Sequence, residues 1–250
     1  MIELQNISKV FHKGQVNEVC ALTDLFLTIQ KEEFVSVVGA NGSGKTTLLN
    51  IISGAVLPSS GRIRITETDV TRLPEYKRSR WIARVFQDPL KGTASELSIL
   101  DNFRLAAIRT QPKNLIIGIN DVFKKKVRDS IATLGMGLEN KLEQAIGTLS
   151  GGQRQALTLL MSVMDDTQIL LLDEPSAALD PRSATLILKT ASELISQYKL
   201  TAILITHNLK EAQLYGNRLL QMSEGKIVRD VSEEEKKRLP LSEMYAWFDI

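Results

Sequence analysis

The segment 39–46, Gly-Ala-Asn-Gly-Ser-Gly-Lys-Thr, constrains the fold of this 250-residue chain more than any other part of it. It has the spacing of a phosphate-binding P-loop, in which glycines let the backbone curl and point several N–H groups inward. The apolar run 34–38 before it predicts a strand, and residues 48–52 after it predict a helix ending at Gly54. The alternative is a flexible turn that happens to contain a lysine. It does not explain why strand, loop and helix follow in the order that a phosphate site needs.

The loop predicts contacts with ATP and Mg²⁺. The Lys45 side chain can reach the β- and γ-phosphates, and the Thr46 hydroxyl can bind Mg²⁺. The positive N-terminal end of the following helix adds to the attraction for phosphate. The predicted nucleotide-binding residues of this segment are Gly39, Asn41, Gly42, Ser43, Gly44, Lys45, Thr46 and Thr47.

A second candidate site follows the apolar run 169–172, where Asp173 and Glu174 stand next to each other. In a parallel sheet, a buried strand would deliver Asp173 to the edge beside the phosphate loop. One carboxylate suits Mg²⁺, and the next side chain points elsewhere and can polarise an attacking water. We therefore predict that Asp173 binds the metal and that Glu174 is the base. An acid after a strand is often only a loop residue, and the upstream P-loop favours the functional interpretation.

Strand and helix signals alternate along the chain, which predicts a parallel sheet. We expect strands within the first thirty residues and at 63–65, 82–86, 169–172 and 201–206, a helix at 183–197, and a hairpin around Gly225. Between about 89 and 147 the pattern becomes mostly helical. The residues expected on one helical face there are Ile119, Val122, Phe123, Val127, Ile131 and Leu134. From residue 232 the tail is predicted to be charged helix closed by aromatic residues.

Composition narrows the function classes. The net charge of +2, from 31 basic and 29 acidic residues, is too even to predict binding to nucleic acid. The single cysteine, Cys20, excludes an intrachain disulfide and fits a cytoplasmic location, and its apolar neighbours predict that it is buried and inert. No apolar run approaches the roughly 18 to 20 residues that cross a bilayer. If the protein works at a membrane, we expect another chain to hold it there.

A third motif, Leu-Ser-Gly-Gly-Gln at 149–153, precedes a helical stretch. Ser150 is a good N-cap residue, and Gly151 and Gly152 expose backbone N–H groups, so the segment predicts a second phosphate site. An ordinary capped helix is the alternative. Because one nucleotide does not need two γ-phosphate sites in one chain, we expect a head-to-tail dimer. In that dimer Ser150, Gly151, Gly152 and Gln153 of each chain cover the ATP of the other.

The P-loop, the Leu-Ser-Gly-Gly-Gln string and the Asp173–Glu174 strand occur in the order found in ATP-binding cassette (ABC) ATPases. The resemblance covers essentially the whole chain. It implies an α/β fold: a P-loop NTPase core with a mostly parallel sheet, an N-terminal antiparallel β subdomain and a helical subdomain. We expect a single ABC ATPase domain over 1–250, with core and antiparallel subdomain in 1–88 and 148–230, the helical subdomain in 89–147 and a helical tail in 231–250.

The resemblance also implies roles for three residues that the motifs alone leave open. Gln87 resembles the glutamine that touches Mg²⁺ or the attacking water, and His207 resembles the histidine that contacts the γ-phosphate. Phe11 resembles the aromatic residue that stacks on adenine, and a core phenylalanine is the alternative for it. The predicted catalytic residues are Glu174, His207 and Gln87, and the predicted metal-binding residues are Thr46, Gln87 and Asp173.

As implied by the resemblance, the function is ATP binding and hydrolysis that energises a separate membrane permease. The permease would dock near residues 88–102, and the protein would lie peripherally on the cytoplasmic face of the cell membrane. A second copy of the chain completes the expected dimer. The amino-acid sequence around residues 16–19, 84–89 and 151–161 resembles that of a bacterial importer subgroup associated with aromatic amino acids such as tryptophan. That similarity implies import of a small solute such as an amino acid, together with an extracytoplasmic substrate-binding protein.

Other functions stay open at the level of sequence. An ABC exporter or lipid-extracting system also uses separate ATPase chains. An ABC ATPase without a membrane partner, acting on DNA or ribosomes, is disfavoured because no long coiled coil separates the motifs and only one cassette is present. A P-loop kinase does not explain residues 149–153 or His207. A non-hydrolysing regulatory cassette does not fit the presence of both Glu174 and His207.

Overall fold

The computed structural model describes residues 1–111 and 118–248. Parts of two predicted segments lie outside the described residues: 112–117 of the helical insert 89–147, and 249–250 of the tail 231–250. The described chain contains two sheets with helices packed around them. Within these residues, no helix has both the length and the apolar character that crossing a bilayer requires.

The larger sheet has six strands and forms the centre of the molecule. In spatial order they are β10 (Lys226–Val231), β9 (Arg218–Ser223), β3 (Phe34–Gly39), β8 (Thr201–Ile205), β7 (Ile169–Asp173) and β6 (Ile82–Val85). All neighbours are parallel except β10, which pairs antiparallel with β9 in the hairpin predicted around Gly225. Strands β3, β7 and β8 are buried along their whole length, as expected for a parallel sheet covered on both faces.

The smaller sheet is antiparallel and comes mainly from the N-terminal part of the chain. Its spatial order is β2 (Val19–Ile29), β1 (Ile2–Phe11), β4 (Ser60–Ile65) and β5 (Thr68–Asp69). One hydrophobic core joins this sheet to one face of the central sheet and to the helix after the phosphate loop. The antiparallel sheet therefore backs the segment that carries the predicted nucleotide site.

Nine α-helices lie in the described residues. They are α1 (Lys45–Ser53), α2 (Glu75–Arg78), α3 (Ile99–Ala107), α4 (Asp121–Ala132), α5 (Gly151–Ser162), α6 (Pro181–Gln197), α7 (Leu209–Leu214), α8 (Glu233–Arg238) and α9 (Leu241–Ala246). A second core packs α3 to α6 against the other face of the central sheet, and a small third core holds α7 and α9 together. The predicted fold class is confirmed: a mostly parallel α/β core, an antiparallel N-terminal sheet and helices.

Two sequence predictions about burial are wrong. Cys20 is exposed rather than buried, because it lies at the start of β2, where that strand has not yet reached the core. Val122 is 79% exposed because it falls one position off the buried stripe of α4, which contains Val127 and Ile131. Phe123 and Ile119 are only partly buried against the core. Both errors arose at the margins of elements, where the apolar pattern is least constrained.

Candidate active site

Three buried strands end side by side, and each is followed by a predicted site segment. Strand β3 leads into the phosphate loop, β7 ends at Asp173, and β8 ends two residues before His207. Because β3, β8 and β7 are parallel neighbours, their carboxyl ends share one edge of the sheet. The strand order thus brings together motifs that are far apart in the sequence.

The phosphate loop adopts a curled backbone that depends on glycine at defined positions. Gly42 and Gly44 have φ angles of 81° and 100°, which side chains disfavour. A Cβ atom on Gly39 would lie 2.4 Å from the Met222 carbonyl oxygen and 2.6 Å from Ser43 Oγ. The loop is therefore closed tightly against β9, with no room for a side chain at its first position.

Lys45 folds back over the loop that it follows. Its Nζ donates to the carbonyl oxygens of Gly39 and Ala40, at 2.8 and 3.0 Å. Burial lowers the pKa of Lys45, and the nearby carboxylates of Glu174 and Asp173 oppose part of that shift. The ammonium group therefore lies against the loop and close enough to both acids for an electrostatic interaction.

The donors around the loop fit a phosphate chain. Helix α1 begins at Lys45, and no side chain caps its first turn and no acid lies in it. Ser43 Oγ is buried and has no hydrogen-bond partner. Unpaired donors at a helix N-terminus attract anions. Of the other predicted loop residues, Asn41, Gly42 and Thr46 are exposed and Thr47 is half-buried.

Oxygen atoms suited to Mg²⁺ line one cavity of about 620 Å³ beside α1. Thr46, Gln87 and Asp173 lie on its wall, and hydroxyl, amide and carboxylate oxygens are ligands that Mg²⁺ accepts. Arg84, which the sequence analysis did not single out, lines the same cavity and donates from Nη2 to Asp173 Oδ2 at 2.6 Å. The residues present fit a hydrated magnesium ion, with Asp173 already balanced by a positive charge.

Glu174 lies at the centre of the three predicted catalytic residues. Its Oε2 is 3.2 Å from His207 Nδ1 and 3.4 Å from Gln87 Nε2. The backbone at Glu174 is left-handed, with a φ of 47°, and its N–H donates to the Ile205 carbonyl oxygen at 3.0 Å. A strained conformation of this kind persists only where the surroundings fix it. The carboxylate is thus directed towards the two residues that the sequence placed with it.

Glu211 links the segments that follow β7 and β8, and the sequence analysis missed it. Its carboxylate accepts from Ser176 Oγ at 3.0 and 3.1 Å and from Thr206 Oγ1 at 2.6 Å. Ser176 follows the Glu174 turn, and Thr206 precedes His207. The sequence signal that could have identified Glu211 is an acid in the first turn of α7, directly after the predicted site residue His207.

The Leu-Ser-Gly-Gly-Gln segment forms the predicted cap of α5. Ser150 Oγ accepts from the Gln153 N–H at 3.3 Å, and Gln153 Oε1 accepts from the Ser150 N–H at 3.1 Å. Ser150 and Gly151 are exposed, while Gly152 is packed against Ser183. Across residues 1–111 and 118–248, no hydrogen bond joins this segment to the phosphate loop. One copy of the chain therefore leaves the segment facing outward.

Phe11, the predicted adenine-stacking residue, lies at the end of β1. It is only partly buried, and Lys9 Nζ lies 4.9 Å from its ring centroid. The three hydrophobic cores of the described chain do not include it. Its partly open ring has the accessibility that stacking on a base requires, whereas a core phenylalanine would be enclosed.

Comparisons with known proteins agree on one family. The family model described as ABC transporter matches residues 22–177. A tyrosine transport ATP-binding protein of Clostridioides difficile is 37% identical over 254 residues, covering 100% of this chain and 99% of that protein. A phosphonates import ATP-binding protein of Lactococcus lactis subsp. cremoris is 31% identical, with 98% of each chain covered.

Solved structures give the same result. The dimeric structure of a post-hydrolysis state of an ATP-binding cassette bound to ADP and phosphate matches with a TM-score of 0.80 and 26% identity. That match covers 93% of this chain and 99% of the other. The ADP conformation of another transporter cassette matches with a TM-score of 0.78 and 26% identity, over 98% of both chains.

Proposed function

The chain belongs to the ABC transporter family as an ATP-hydrolysing subunit, and we propose that it energises import of an amino acid through a separate membrane permease. The observation that carries the catalytic part is the cluster of Glu174, His207 and Gln87 beside the phosphate loop. The likeness to a tyrosine transport protein and to a phosphonates import protein supports import. An aromatic amino acid is the substrate class that we infer from the first of these relatives.

We propose the following roles for the residues of the nucleotide site. The loop 39–46 and Thr47 hold the phosphate chain, with Lys45 on the β- and γ-phosphates, and Phe11 stacks on adenine. Thr46, Asp173 and Gln87 would hold Mg²⁺, which neutralises phosphate charge when bound. Glu174 accepts a proton from the attacking water, and its short distance to His207 lets the imidazole orient both the carboxylate and the γ-phosphate.

The second phosphate site acts on another copy of the chain. Ser150, Gly151, Gly152 and Gln153 stand at the exposed start of α5, and an exposed helix N-terminus attracts anions. A head-to-tail pair would place this segment over the partner's ATP and so close two sites at once. ATP would favour the closed pair only through its higher affinity for that state.

The permease contact is assigned to the region 88–102, in a helical subdomain spanning 89–147. Leu90 and Leu97 are 57% and 40% exposed in this region, and Gln87 at its start reaches Glu174. A short helix of the permease would cover these leucines and sense the catalytic cluster. We also propose that the core and antiparallel subdomain occupy 1–88 and 148–230 and that the tail occupies 231–250.

We also propose that the protein lies on the cytoplasmic face of the membrane and that an extracytoplasmic binding protein delivers the solute. The test is to reconstitute the chain in liposomes with the permease and binding protein encoded next to it, and to measure uptake of radiolabelled tyrosine and tryptophan. We expect ATP-dependent uptake that a Glu174→Gln chain does not support. ATP-driven efflux instead of uptake, or ATPase activity unaffected by the permease, would refute the proposal.

A further inference from the structure

Arg84 is a basic residue within the otherwise apolar strand β6. Its Nη2 lies 2.6 Å from Asp173 Oδ2, and the two side chains are only 9% and 10% exposed. Solvent and salt screen so enclosed an ion pair far less than they screen a pair on the surface. The carboxylate predicted to face Mg²⁺ therefore has a protein cation beside it.

Two further contacts fix the Arg84 guanidinium. Its Nη1 donates to Asn50 Oδ1 on α1 at 2.7 Å, and its centre lies 4.7 Å from the ring centroid of Phe86, the residue before Gln87. Its Nε is buried without a hydrogen-bond partner. Buried donors usually have a hydrogen-bond partner. The contacts with Asp173 and Asn50 therefore hold the guanidinium in a position that leaves its Nε without an acceptor.

The same guanidinium also borders the predicted metal site. The cavity of about 620 Å³ that contains Thr46, Asp173 and Gln87 is also lined by Arg84 and Glu75. A cation placed against Asp173 would repel the guanidinium across the same carboxylate.

We propose that Arg84 is a built-in counter-ion for Asp173, which balances this carboxylate in the metal-free site and thereby weakens the site's affinity for Mg²⁺. The inference rests on the proposed nucleotide site. Arg84 is a positioning residue, because it acts through Asp173. Its effect is a higher Mg²⁺ requirement for binding Mg·ATP, with little effect on binding of ATP alone.

The test compares Arg84→Met with the wild-type residue in a Glu174→Gln background, where turnover does not obscure binding. Fluorescent ATP is first bound in EDTA, and Mg²⁺ is then titrated. In a parallel experiment, electron paramagnetic resonance measures the binding of Mn²⁺ to the same complex. We expect Arg84→Met to lower the half-saturating Mg²⁺ and Mn²⁺ concentrations by about fivefold or more, because a like charge next to the cation is removed.

Two variants serve as controls. Arg84→Lys keeps the charge, and we expect its metal requirement to stay near that of wild type. Arg80→Met removes an exposed arginine that stacks on Trp81 in the same part of the chain, and should change nothing. If Arg84→Met does not fold, Arg84→Gln gives the same comparison with a polar side chain.

The outcomes separate this inference from the proposed function. An unchanged or raised metal requirement in the neutral variants overturns the counter-ion role, even though ATP still binds in EDTA. Failure of the wild-type chain to bind ATP at all overturns the proposed nucleotide site itself. If Arg80→Met lowered the half-saturating metal concentration by the same factor, the effect would be due to general surface charge, and the inference would also be overturned.

Discussion

At the scale of single residues, the catalytic assignment depends on the conformation of Glu174. Its φ of 47° turns the chain directly after β7, so that Asp173 and Glu174 have different partners although they are adjacent. Asp173 faces Arg84, whereas Glu174 faces Gln87 and His207. Neighbouring acids can therefore take separate roles in metal binding and proton transfer.

The first prediction concerns the charge on Glu174. Glu174→Gln keeps the shape of the side chain but removes the proton acceptor, so we expect phosphate release to fall by about 10²- to 10⁴-fold. ATP binding, measured by fluorescence, should stay within about twofold, because Gln can keep the contact with His207. Glu193→Gln, on the exposed face of α6, is the matched control. Normal hydrolysis by the Glu174 variant would rule out its role as base.

The second prediction concerns Glu211. Glu211→Leu leaves Ser176 Oγ and Thr206 Oγ1 without their acceptor, so we expect the free energy of unfolding to fall by about 1–3 kcal/mol. Because both hydroxyls border the Glu174 and His207 segments, kcat for ATP should fall more than KM rises. Urea unfolding and steady-state phosphate release give the two values. Lys210→Leu, at the exposed neighbouring position, is the control. If it lowered kcat and stability as much as Glu211→Leu does, the proposed role of the Glu211 carboxylate would be wrong.

At the scale of elements, the position of α1 depends on a buried arginine at its far end. Arg78 is fully buried and donates to the carbonyl oxygens of Ile51 and Ile52, in the last turn of that helix, and to those of Leu73 and Thr71. Burial lowers its pKa to about 10. A cation at a helix C-terminus also complements the helix dipole. The helix that starts at Lys45 is thus fixed at both ends.

The third prediction follows from that cap. Arg78→Met leaves several buried carbonyl groups unsatisfied, so we expect the free energy of unfolding to fall by about 3 kcal/mol or more. ATP affinity should fall with it, because α1 carries the phosphate loop. Denaturant unfolding and ATP titration measure both effects. Arg80→Met, which removes an exposed arginine nearby, should leave stability within about 0.5 kcal/mol.

The C-terminal tail is anchored by another buried cation. Lys236 in α8 donates to the carbonyl oxygens of Tyr215 and Gly216, which follow α7. Burial lowers the pKa of Lys236 to about 8, from an ordinary value of 10.5. Between pH 8 and 10.5 the unfolded chain therefore holds a proton that the folded chain has lost. In that window the free energy of unfolding contributed by Lys236 increases with pH.

The fourth prediction is the resulting pH dependence. We expect the melting temperature of the wild-type chain, relative to Lys236→Met, to rise between pH 8 and pH 10.5 and to stay level below pH 8. Differential scanning calorimetry at several pH values measures this difference. Lys237→Met removes the exposed neighbour that pairs with Glu233, and should show no such rise. A difference that falls with pH would contradict the assigned shift.

Some features of the fold and the site could be predicted from the sequence, and others could not. The phosphate loop, α1, the buried strands and the Gly225 hairpin follow from local patterns that the structure keeps. Cys20, predicted to be buried, and Val122, predicted to share the apolar face of its helix, are both exposed, because apolar neighbours do not define a face at the margin of an element. Arg84 and Glu211 were missed because their partners lie on other segments, and single-sequence patterns do not reveal such pairs.

At the scale of the whole molecule, the proposed nucleotide site would draw on two separate parts of the chain. Gly39, Asn41 and His207 line a single cavity of about 370 Å³ together with Tyr245 and Phe248 of the tail. The start of α5, by contrast, makes no hydrogen bond with the phosphate loop of its own chain within the described residues. We therefore expect a complete site to need a second copy of the chain, as proposed above.

The fifth prediction tests that dependence by combining two inactive chains. Lys45→Ala disables the phosphate loop, and Ser150→Asp keeps a good helix cap while placing a negative charge against the partner's phosphate. In a mixed pair, one pocket combines the defective phosphate loop of one chain with the altered cap of the other. The second pocket has both segments intact. Ser232→Asp, a change at the cap of α8, is the control for the added charge.

The direct measurement is phosphate release by each variant alone and by an equimolar mixture. We predict that each variant alone is nearly inactive and that the mixture recovers activity up to half the share of mixed pairs, because each mixed pair has one intact pocket out of two. A mixture no more active than the mean of the two separate variants, at concentrations where pairs form, would contradict a shared ATP pocket.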